Sequence, residues 1–306
     1  MTAPQQDINV RRLRYFLAVA EHRHFGRAAE SLWLSPTALS EQIRKLETEL
    51  GVRLFDRNPR GAQLTEAGVQ VAAEAREVLE AVARLGAVTA RHRRRGQDVL
   101  RLGFVTMAAG ELTSRILARF EREHPGRAVE LVHLDYGRQA QAVATREVDA
   151  GIVRGPLRDS RLRTVLLATE PRLVMLSHRH PLAGRSEVRR ADLADELRVD
   201  TEGVPEYWRR WWSLDPGPDG TPPPYGPIVH TFEEQVEIAA LGIAISIVPA
   251  AAARFYHRPD VAFVPIVDAE PAEVLLCTHL EEDSPLVGAL LAAAAPETVS
   301  GEAEPR

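Results

Sequence analysis

The sequence predicts an α/β protein: an N-terminal, all-α winged helix-turn-helix with a long linker helix, then a two-lobed α/β domain. Three observations carry this. Apolar residues recur at helical spacing, with start and stop signals, through roughly the first 90 residues. From residue 99 short apolar runs alternate with amphipathic segments, the rhythm of strand and helix. Charge divides at the same place: residues 1–96 carry 16 basic and 11 acidic side chains, and residues 97–306 carry 22 and 32. A basic head on an acidic body points to a polyanionic partner for the head.

Composition sets the frame. A chain of 306 residues fits two domains, and 45% hydrophobic with 26% charged residues excludes wholesale disorder. The single cysteine, Cys277, excludes an intramolecular disulfide and fits a reducing compartment. Ile238–Ala253, the longest uncharged run at 16 residues, is interrupted by Gly242 and Pro249 and is short of a membrane span. It reads as a buried strand followed by a helix. The N-terminus has no apolar core of a secretory signal, so the expected location is cytoplasmic, with no membrane partner. No Gly-x-Ser-x-Gly, P-loop or dinucleotide glycine motif is present, and the chain is expected not to be an enzyme.

In the head, Leu13, Phe16, Leu17 and Ala20 place a helix over Val10–Glu21, and Ala28, Ala29 and Leu32 a second over Gly26–Leu34. Ser35 is a candidate N-cap and Pro36 a good first residue for a third helix, ended by Gly51. That helix buries Leu39, Ile43, Leu46 and Leu50 and turns Thr37, Ser40, Glu41, Arg44 and Lys45 outward. Two such helices joined by a tight turn make a helix-turn-helix. Leu54–Thr65 reads as a two-stranded wing anchored by Leu54, Phe55 and Leu64, with Arg57 and Arg60 at its tip. Thr65-Glu66-Ala67-Gly68 then opens a helix reaching about Arg91, striped by Val69, Ala72, Ala73, Val78, Leu79, Val82 and Leu85. With no partner expected in its own small domain, this helix is expected to pair with a second copy.

Arg91–Asp98, charged and broken by Gly96, is the hinge. Strand Val99–Val105, helix Glu111–Glu123, strand Ala128–Leu134, helix Arg138–Arg146 and strand Asp149–Val153 follow, predicting a mainly parallel sheet. A second lobe is expected from about Arg163. Its strands are Leu173–Leu176, Leu197–Val199 and Ile243–Val248, and its helices Ala191–Glu196, Glu206–Trp212 and Phe232–Leu241. Asp215–Pro227, with six prolines and three glycines, reads as a loop. Strand Glu273–Thr278 and helix Ser284–Ala293 are placed to return to the first lobe.

At this point the head resembles the LysR-type transcriptional regulator family. The resemblance begins at Leu13-Arg14-Tyr15-Phe16-Leu17-Ala18-Val19-Ala20-Glu21. It continues through Phe25, Ala28-Ala29, Leu32, Leu34-Ser35, Ala38-Leu39-Ser40, Gln42-Ile43, Leu46-Glu47, Leu50-Gly51, Leu54-Phe55, Arg57, Leu64-Thr65 and Ala67-Gly68. Further on, His180-Pro181-Leu182-Ala183, Ala191-Asp192-Leu193 and Leu241–Pro249 are similar more loosely. There are two departures: Pro36 stands where the family usually has glutamine, and Ala244 where a second glycine is common. The first moves base reading onto Thr37, Ala38, Ser40 and their neighbours.

The resemblance implies a sequence-specific, DNA-binding transcription factor that regulates promoters in response to a small-molecule effector, with no other cofactor and no metal. Its expected organisation is a winged helix-turn-helix at 8–65, a linker and dimerisation helix at 66–91, and a hinge at 92–98. An effector domain follows at 99–295, periplasmic-binding-protein-like, with lobe one at about 99–162 and 268–295 and lobe two at about 163–267. Residues 296–306 are expected to form a disordered tail. The expected DNA-contacting set is Ser35, Pro36, Thr37, Ala38, Ser40, Glu41, Arg44, Lys45, Arg57 and Arg60. The expected effector set, placed after strands, is Thr106, Met107, Tyr136, Arg154, Thr201, Glu202, His230 and Thr231.

Arg154 suits a carboxylate ligand because its donor fork pairs bidentately, and Glu202 is a candidate to hold it. The helix Tyr207-Trp208-Arg209-Arg210-Trp211-Trp212 serves core or interface packing, or lends the cleft an aromatic wall. His178 and His180 read as a polar turn rather than a zinc site, and Cys277 as a buried thiol. Expected partners are double-stranded DNA, further copies of the chain as dimer and tetramer, the effector, and RNA polymerase. The alternative is a small-molecule binding protein or enzyme whose helical head only oligomerises. Such a head has no need to expose Thr37, Ser40, Arg44, Lys45 and Arg57 together.

Overall fold

Helix α1 (Val10–His22) starts where the Asn9 side chain accepts from the Arg11 N–H at 2.9 Å, and ends at Arg23 in the left-handed conformation. Helix α2 (Phe25–Ser31) is capped by the His24 ring, which accepts from the Gly26 and Arg27 N–H groups. Helix α3 (Pro36–Leu50) begins as its sequence indicates: Ser35 Oγ accepts from the Ala38 N–H at 3.2 Å, Pro36 occupies the first turn, and Gly51 closes it at φ +70°. Strands β1 (Phe55–Asn58) and β2 (Gly61–Leu64) pair antiparallel as the wing, Phe55 opposite Leu64. This computed structural model describes residues 8–58, 61–93, 99–108 and 110–295. The Arg57 side chain, Arg60, most of the expected hinge (94–98) and the expected tail (296–306) lie outside the described residues.

Two interactions hold this head together. The Phe55 ring meets Phe16 and Phe25 edge-on, with centroids 5.4 and 5.7 Å away, which joins the wing to α1 and α2. The Glu47 carboxylate, on α3, accepts the backbone N–H groups of Leu54 and Phe55, so the wing takes its position from that helix.

Helix α4 (Glu66–Arg93) opens at Thr65, whose hydroxyl accepts from Gly68 N–H and donates to the Arg53 carbonyl. The single apolar stripe expected along it divides in two. Ala72 and Ala75 are buried in the head core, with Val71 and Leu79 packed against it, so the first half of α4 does have a partner in its own domain. Val69, Val78, Leu85 and Val88 are exposed. Apolar residues on two faces merge into one stripe when only their count and rough period are read.

The chain divides into two compact units, Met1–Ala90 and Arg91–Arg306. The second begins with β3 (Val99–Phe104), α5 (Glu111–Glu123), β4 (Ala128–His133), α6 (Gln139–Ala144), β5 (Ala150–Arg154) and β6 (Leu162–Glu170). Then come β7 (Arg172–Ser177), a 3₁₀ turn (Arg190–Leu193), β8 (Arg198–Thr201), α7 (Glu206–Trp212), β9 (Tyr225–Val229), α8 (Phe232–Ala240) and β10 (Ser246–Pro249). It closes with α9 (Ala250–Phe255), β11 (Val261–Pro265), β12 (Ala272–His279) and α10 (Pro285–Ala294).

The first lobe is a five-stranded sheet in the order β4-β3-β5-β12-β6. Its β4, β3 and β5 are parallel, as expected, but β12 runs antiparallel to both β5 and β6, which corrects the mainly parallel reading. β6, expected to open the second lobe, instead forms the edge of this sheet. The chain crosses to the second lobe only at Pro171, because β6 takes its backbone hydrogen bonds from the returning β12. That return is the expected one, and α10 joins α5 in the same core, where Cys277 is fully buried and its thiol is pushed up to about 12.

In the second lobe β7 lies between β10 and β11, antiparallel to both, and β8 pairs parallel with β9. β9 takes up Tyr225–Pro227, the end of the expected loop, and β10 starts three residues later than expected because Gly242 turns the chain first (φ +69°).

Gly68 marks the tightest approach in the head. A Cβ there would lie 2.2 Å from the Leu54 carbonyl oxygen. Gly68→Ala is therefore expected to destabilise the head by about 1–3 kcal/mol, read as a lowered denaturant midpoint. An unchanged midpoint would mean that α4 and the segment leading into the wing are not locked together there.

Candidate functional site

The outward face of α3 follows from its inward one. Leu39, Ile43 and Leu46 are fully buried, so Ser35, Pro36, Thr37, Glu41, Arg44 and Lys45 are exposed, with Ala38 and Ser40 at the half-buried margin. The Ser35 hydroxyl is engaged as the helix cap, a role worth about 1 kcal/mol. Lys45 Nζ lies 2.6 Å from Glu41 Oε1, and that bond holds the Glu41 carboxyl below its usual range.

Sequence reading passed over a second feature of this face. Arg11 and Arg12, at the start of α1, line a surface groove together with Ala38 and Gln42 of α3. Arg12 Nε donates to Gln42 Oε1 at 3.2 Å, and its guanidinium pairs with Glu49. The tandem arginines were a visible signal. Trp33, in the turn just before α3, is 95% exposed.

Within the second unit a cleft of about 550 Å³, open solvent included, lies between the lobes. Tyr136 and Arg154 line it from the first lobe. Arg198, Val199, Thr201, Trp208, Trp212, Ser213, Phe232, Gln235 and Ile245–Pro249 line it from the second. Three of the eight residues expected there, Tyr136, Arg154 and Thr201, are thus brought together.

The other five have different places. Thr106 Oγ1 bonds the His133 ring at 3.0 Å, and the Met107 carbonyl accepts from the Arg154 guanidinium. His230 and Thr231 cap α8: Glu234 accepts both backbone N–H groups and is held below its usual pKa by them, while Thr231 Oγ1 accepts from Glu234 N–H. Glu202 sits in the turn after β8 and does not hold Arg154. Strand ends identify the right edge of a sheet, but the turn that follows decides which side chain enters the cleft.

The partner of Arg154 is Glu170. Arg154 is 1% exposed and Glu170 8% exposed, and Arg154 NH1 donates to Glu170 Oε2 at 3.3 Å. Burial lowers the Arg154 pKa, against the pull of Glu170. Gln139 brackets the Arg154 backbone, accepting from its N–H at 2.9 Å and donating to its carbonyl at 3.1 Å. Glu170 also accepts from Ala251 N–H at 3.2 Å and from Arg254 at 3.4 Å.

Helix α7 supplies the aromatic wall that its composition offered as one reading. Trp208 stacks on Tyr136 with centroids 5.4 Å apart and lies beside Trp212, whose Nε1 donates to the Gly155 carbonyl at 3.2 Å. Burial pushes the Tyr136 phenol up to about 12. Trp211 faces away, over the Arg172 guanidinium at 4.0 Å, where burial brings the arginine down to about 10. At the rim the lobes meet closely: a Cβ on Gly137 would lie 2.0 Å from the Gly203 carbonyl oxygen.

His180 Nε2 lies 3.2 Å from Glu196 and His178 bonds the Asp260 carbonyl. Among the described residues no three His, Cys, Asp or Glu side chains are grouped to hold a metal, and no helix is long and apolar enough to cross a membrane.

Comparison with known proteins covers both units. Residues 10–69 match the model of the bacterial regulatory helix-turn-helix protein, lysR family, and residues 93–298 match the LysR substrate binding domain. The chain is 36% identical to the HTH-type transcriptional regulator YnfL of Escherichia coli K12 over 62% of its own length and 64% of that protein's. It is 30% identical to the Hca operon transcriptional activator HcaR of the same strain, over 88% of this chain and 90% of that one. The crystal structure of full-length CbnR complexed with its target DNA superposes with a TM-score of 0.53 at 26% identity, covering 95% of this chain and 100% of that one.

The Arg154–Glu170 pair yields a direct test. Arg154→Met leaves the buried Glu170 carboxylate with only Arg254 and the Ala251 N–H and is expected to destabilise the second unit by about 1–3 kcal/mol in denaturant unfolding. The double variant Arg154→Met/Glu170→Gln is expected to recover most of that loss. Equal losses in both would show that Arg154 acts through packing rather than as a counter-charge.

Proposed function

Because the chain belongs to the LysR family of transcriptional regulators, we propose that it binds promoter DNA through the outer face of α3 and regulates transcription as its second unit takes up a small molecule. The observation that carries this reading is the division of α3, with Leu39, Ile43 and Leu46 buried beneath an exposed row of Thr37, Glu41, Arg44 and Lys45. Thr37 and Ala38, at the N-terminal end of the helix, are the base readers: short side chains suited to thymine methyls in the major groove. Arg44 serves phosphate, as do Arg57 and Arg60 of the wing. Ser35 and Pro36 place the backbone, Ser40 lies beside the readers, and Glu41 steers Lys45 by pairing with it. Trp33 and the Arg11–Arg12 pair extend the contact surface.

The exposed face of α4 supports self-association. Val78, Ala81, Leu85 and Val88 follow the three-four-three spacing of a coiled-coil seam, and Val78, Leu85 and Val88 are solvent-exposed large apolar residues in the single chain. A second copy buries them, and dimers pairing into tetramers bring several DNA-reading heads to one promoter, where RNA polymerase is the partner of the regulated step. The working compartment is the cytoplasm. The effector lies in the cleft between the lobes, and it shifts regulation only by binding one arrangement of the protein more tightly than another.

Two measurements check these assignments. On DNA from upstream of its own gene, affinity is expected to fall steeply with salt. Arg44→Ala is expected to weaken specific and non-specific binding alike and to reduce the slope of log affinity against log salt by about one. Thr37→Ala is expected to change base preference with the slope intact. Salt-independent binding, or indifference to both substitutions, overturns the interface. In sedimentation, Leu85→Asp is expected to convert dimers to monomers with the melting of the head unchanged; a persisting dimer places the interface elsewhere.

A further inference from the structure

The cleft has an uneven charge. Two guanidinium groups, Arg154 and Arg198, line it, and no Asp or Glu does. Arg154 is matched by Glu170 at 3.3 Å. Arg198 is 2% exposed, and its hydrogen bonds go to neutral backbone carbonyls: NH2 donates to Leu193 at 2.8 Å, and NH1 to Ser213 and Leu214. The nearest acidic groups have partners of their own, Asp215 with Arg210 at 3.3 Å and the Tyr225 hydroxyl at 3.0 Å, and Glu196 with His180 at 3.2 Å. Arg198 therefore leaves the cleft with a positive charge that no carboxylate in its lining balances.

Unmet hydrogen bonding points the same way. Among the described residues four buried side-chain nitrogens have no hydrogen-bond acceptor, and two of them, Arg198 Nε and Trp208 Nε1, belong to residues lining this cleft. Trp208 is the exception within its own helix, since Trp211 Nε1 donates to Glu270 and Trp212 Nε1 to Gly155. A buried donor without an acceptor is costly, and an acceptor of negative charge relieves that cost most. The remaining wall is apolar: Tyr136 stacked on Trp208, then Trp212, Phe232, Ile245 and Ile247.

We infer that the cleft is built for a small organic monoanion, a carboxylic acid on a flat or apolar body, anchored by Arg198 and Trp208 rather than by Arg154. This rests on the reading of the cleft as the effector site and names the ligand class for it. The acid group takes the uncompensated charge of Arg198 and the Trp208 N–H, while the body lies among the aromatic rings. Arg154, engaged by Glu170 and by the Met107 carbonyl, shapes the first-lobe wall.

The test is calorimetric titration of the full-length chain with three acids, benzoate, phenylacetate and hexanoate, each paired with its uncharged amide. At least one acid is expected to bind about ten- to hundredfold more tightly than its amide. Arg198→Met is expected to abolish that preference. Trp208→Phe, which keeps the ring stack and removes only the donor, is expected to weaken the acid more than the amide, narrowing the preference without abolishing it. If Arg198→Met fails to fold, as judged by its thermal melt, the acid-to-amide ratios of the native chain and of Trp208→Phe decide the matter.

Amides binding as well as acids, with both blocked by Thr201→Trp, would overturn the anion inference and leave the cleft reading standing. Acids binding undiminished in Thr201→Trp would remove both, since their site would lie elsewhere. Failure of all three acids to bind would overturn the inference.

Discussion

The carboxylate of Glu170 stands where the second unit is most constrained. It is the last residue of β6, one position before the chain crosses between lobes, and it is nearly buried. A buried charge is tolerable only when paired and hydrogen-bonded, and Glu170 gathers Arg154 from β5, the Ala251 N–H and Arg254 from α9. Arg154 in turn holds the Met107 carbonyl beyond β3. One carboxylate thereby gathers the ends of two first-lobe strands, the loop after a third and a second-lobe helix. The cleft lies beside this cluster, and its polarity follows: one of its two arginines has a carboxylate partner and the other has only backbone carbonyls.

The head works by a different constraint, the division of each helix between a buried and an open face. In α3 that division is clean, and Glu47 passes the position of the helix on to the wing through the Leu54 and Phe55 N–H groups. In α4 two apolar faces coexist, one packed on the head through Ala72 and Ala75 and one open along Val78, Leu85 and Val88. One element thus gives some of its apolar residues to the fold of the head and leaves others open to solvent.

Much of this was legible in the residues. Ser35-Pro36 and Gly51 delimit the third helix by local chemistry, a hydroxyl for an open N–H and a residue tolerant of positive φ. The bounds read from sequence for α3, α5 and α7 are those observed. The winged helix-turn-helix and the two-lobed α/β plan were legible for the same reason, since periodicity and caps act within a few residues. Tyr136, Arg154 and Thr201 were placed in the cleft by the rule that ligands meet the ends of strands.

What sequence left open depends on partners far away in the chain. β6 belongs to the first lobe because β12, more than a hundred residues later, supplies its hydrogen bonds, and nothing local to Leu162–Glu170 announces this. Arg154 is held by Glu170 and not by Glu202 because the crossover, not the nearer turn, brings a carboxylate within 3.3 Å. Arg198 was not among the residues read into the cleft, since a lone arginine in a strand carries no mark of burial, whereas the aromatic wall that Trp208 supplies was one reading of its helix. The sequence by itself determined the helices of the head and the split of α3 into a buried and an open face, because caps and apolar spacing act over a few residues; tertiary structure alone decided which strands and which charges are paired, because pairing is a matter of distance through space.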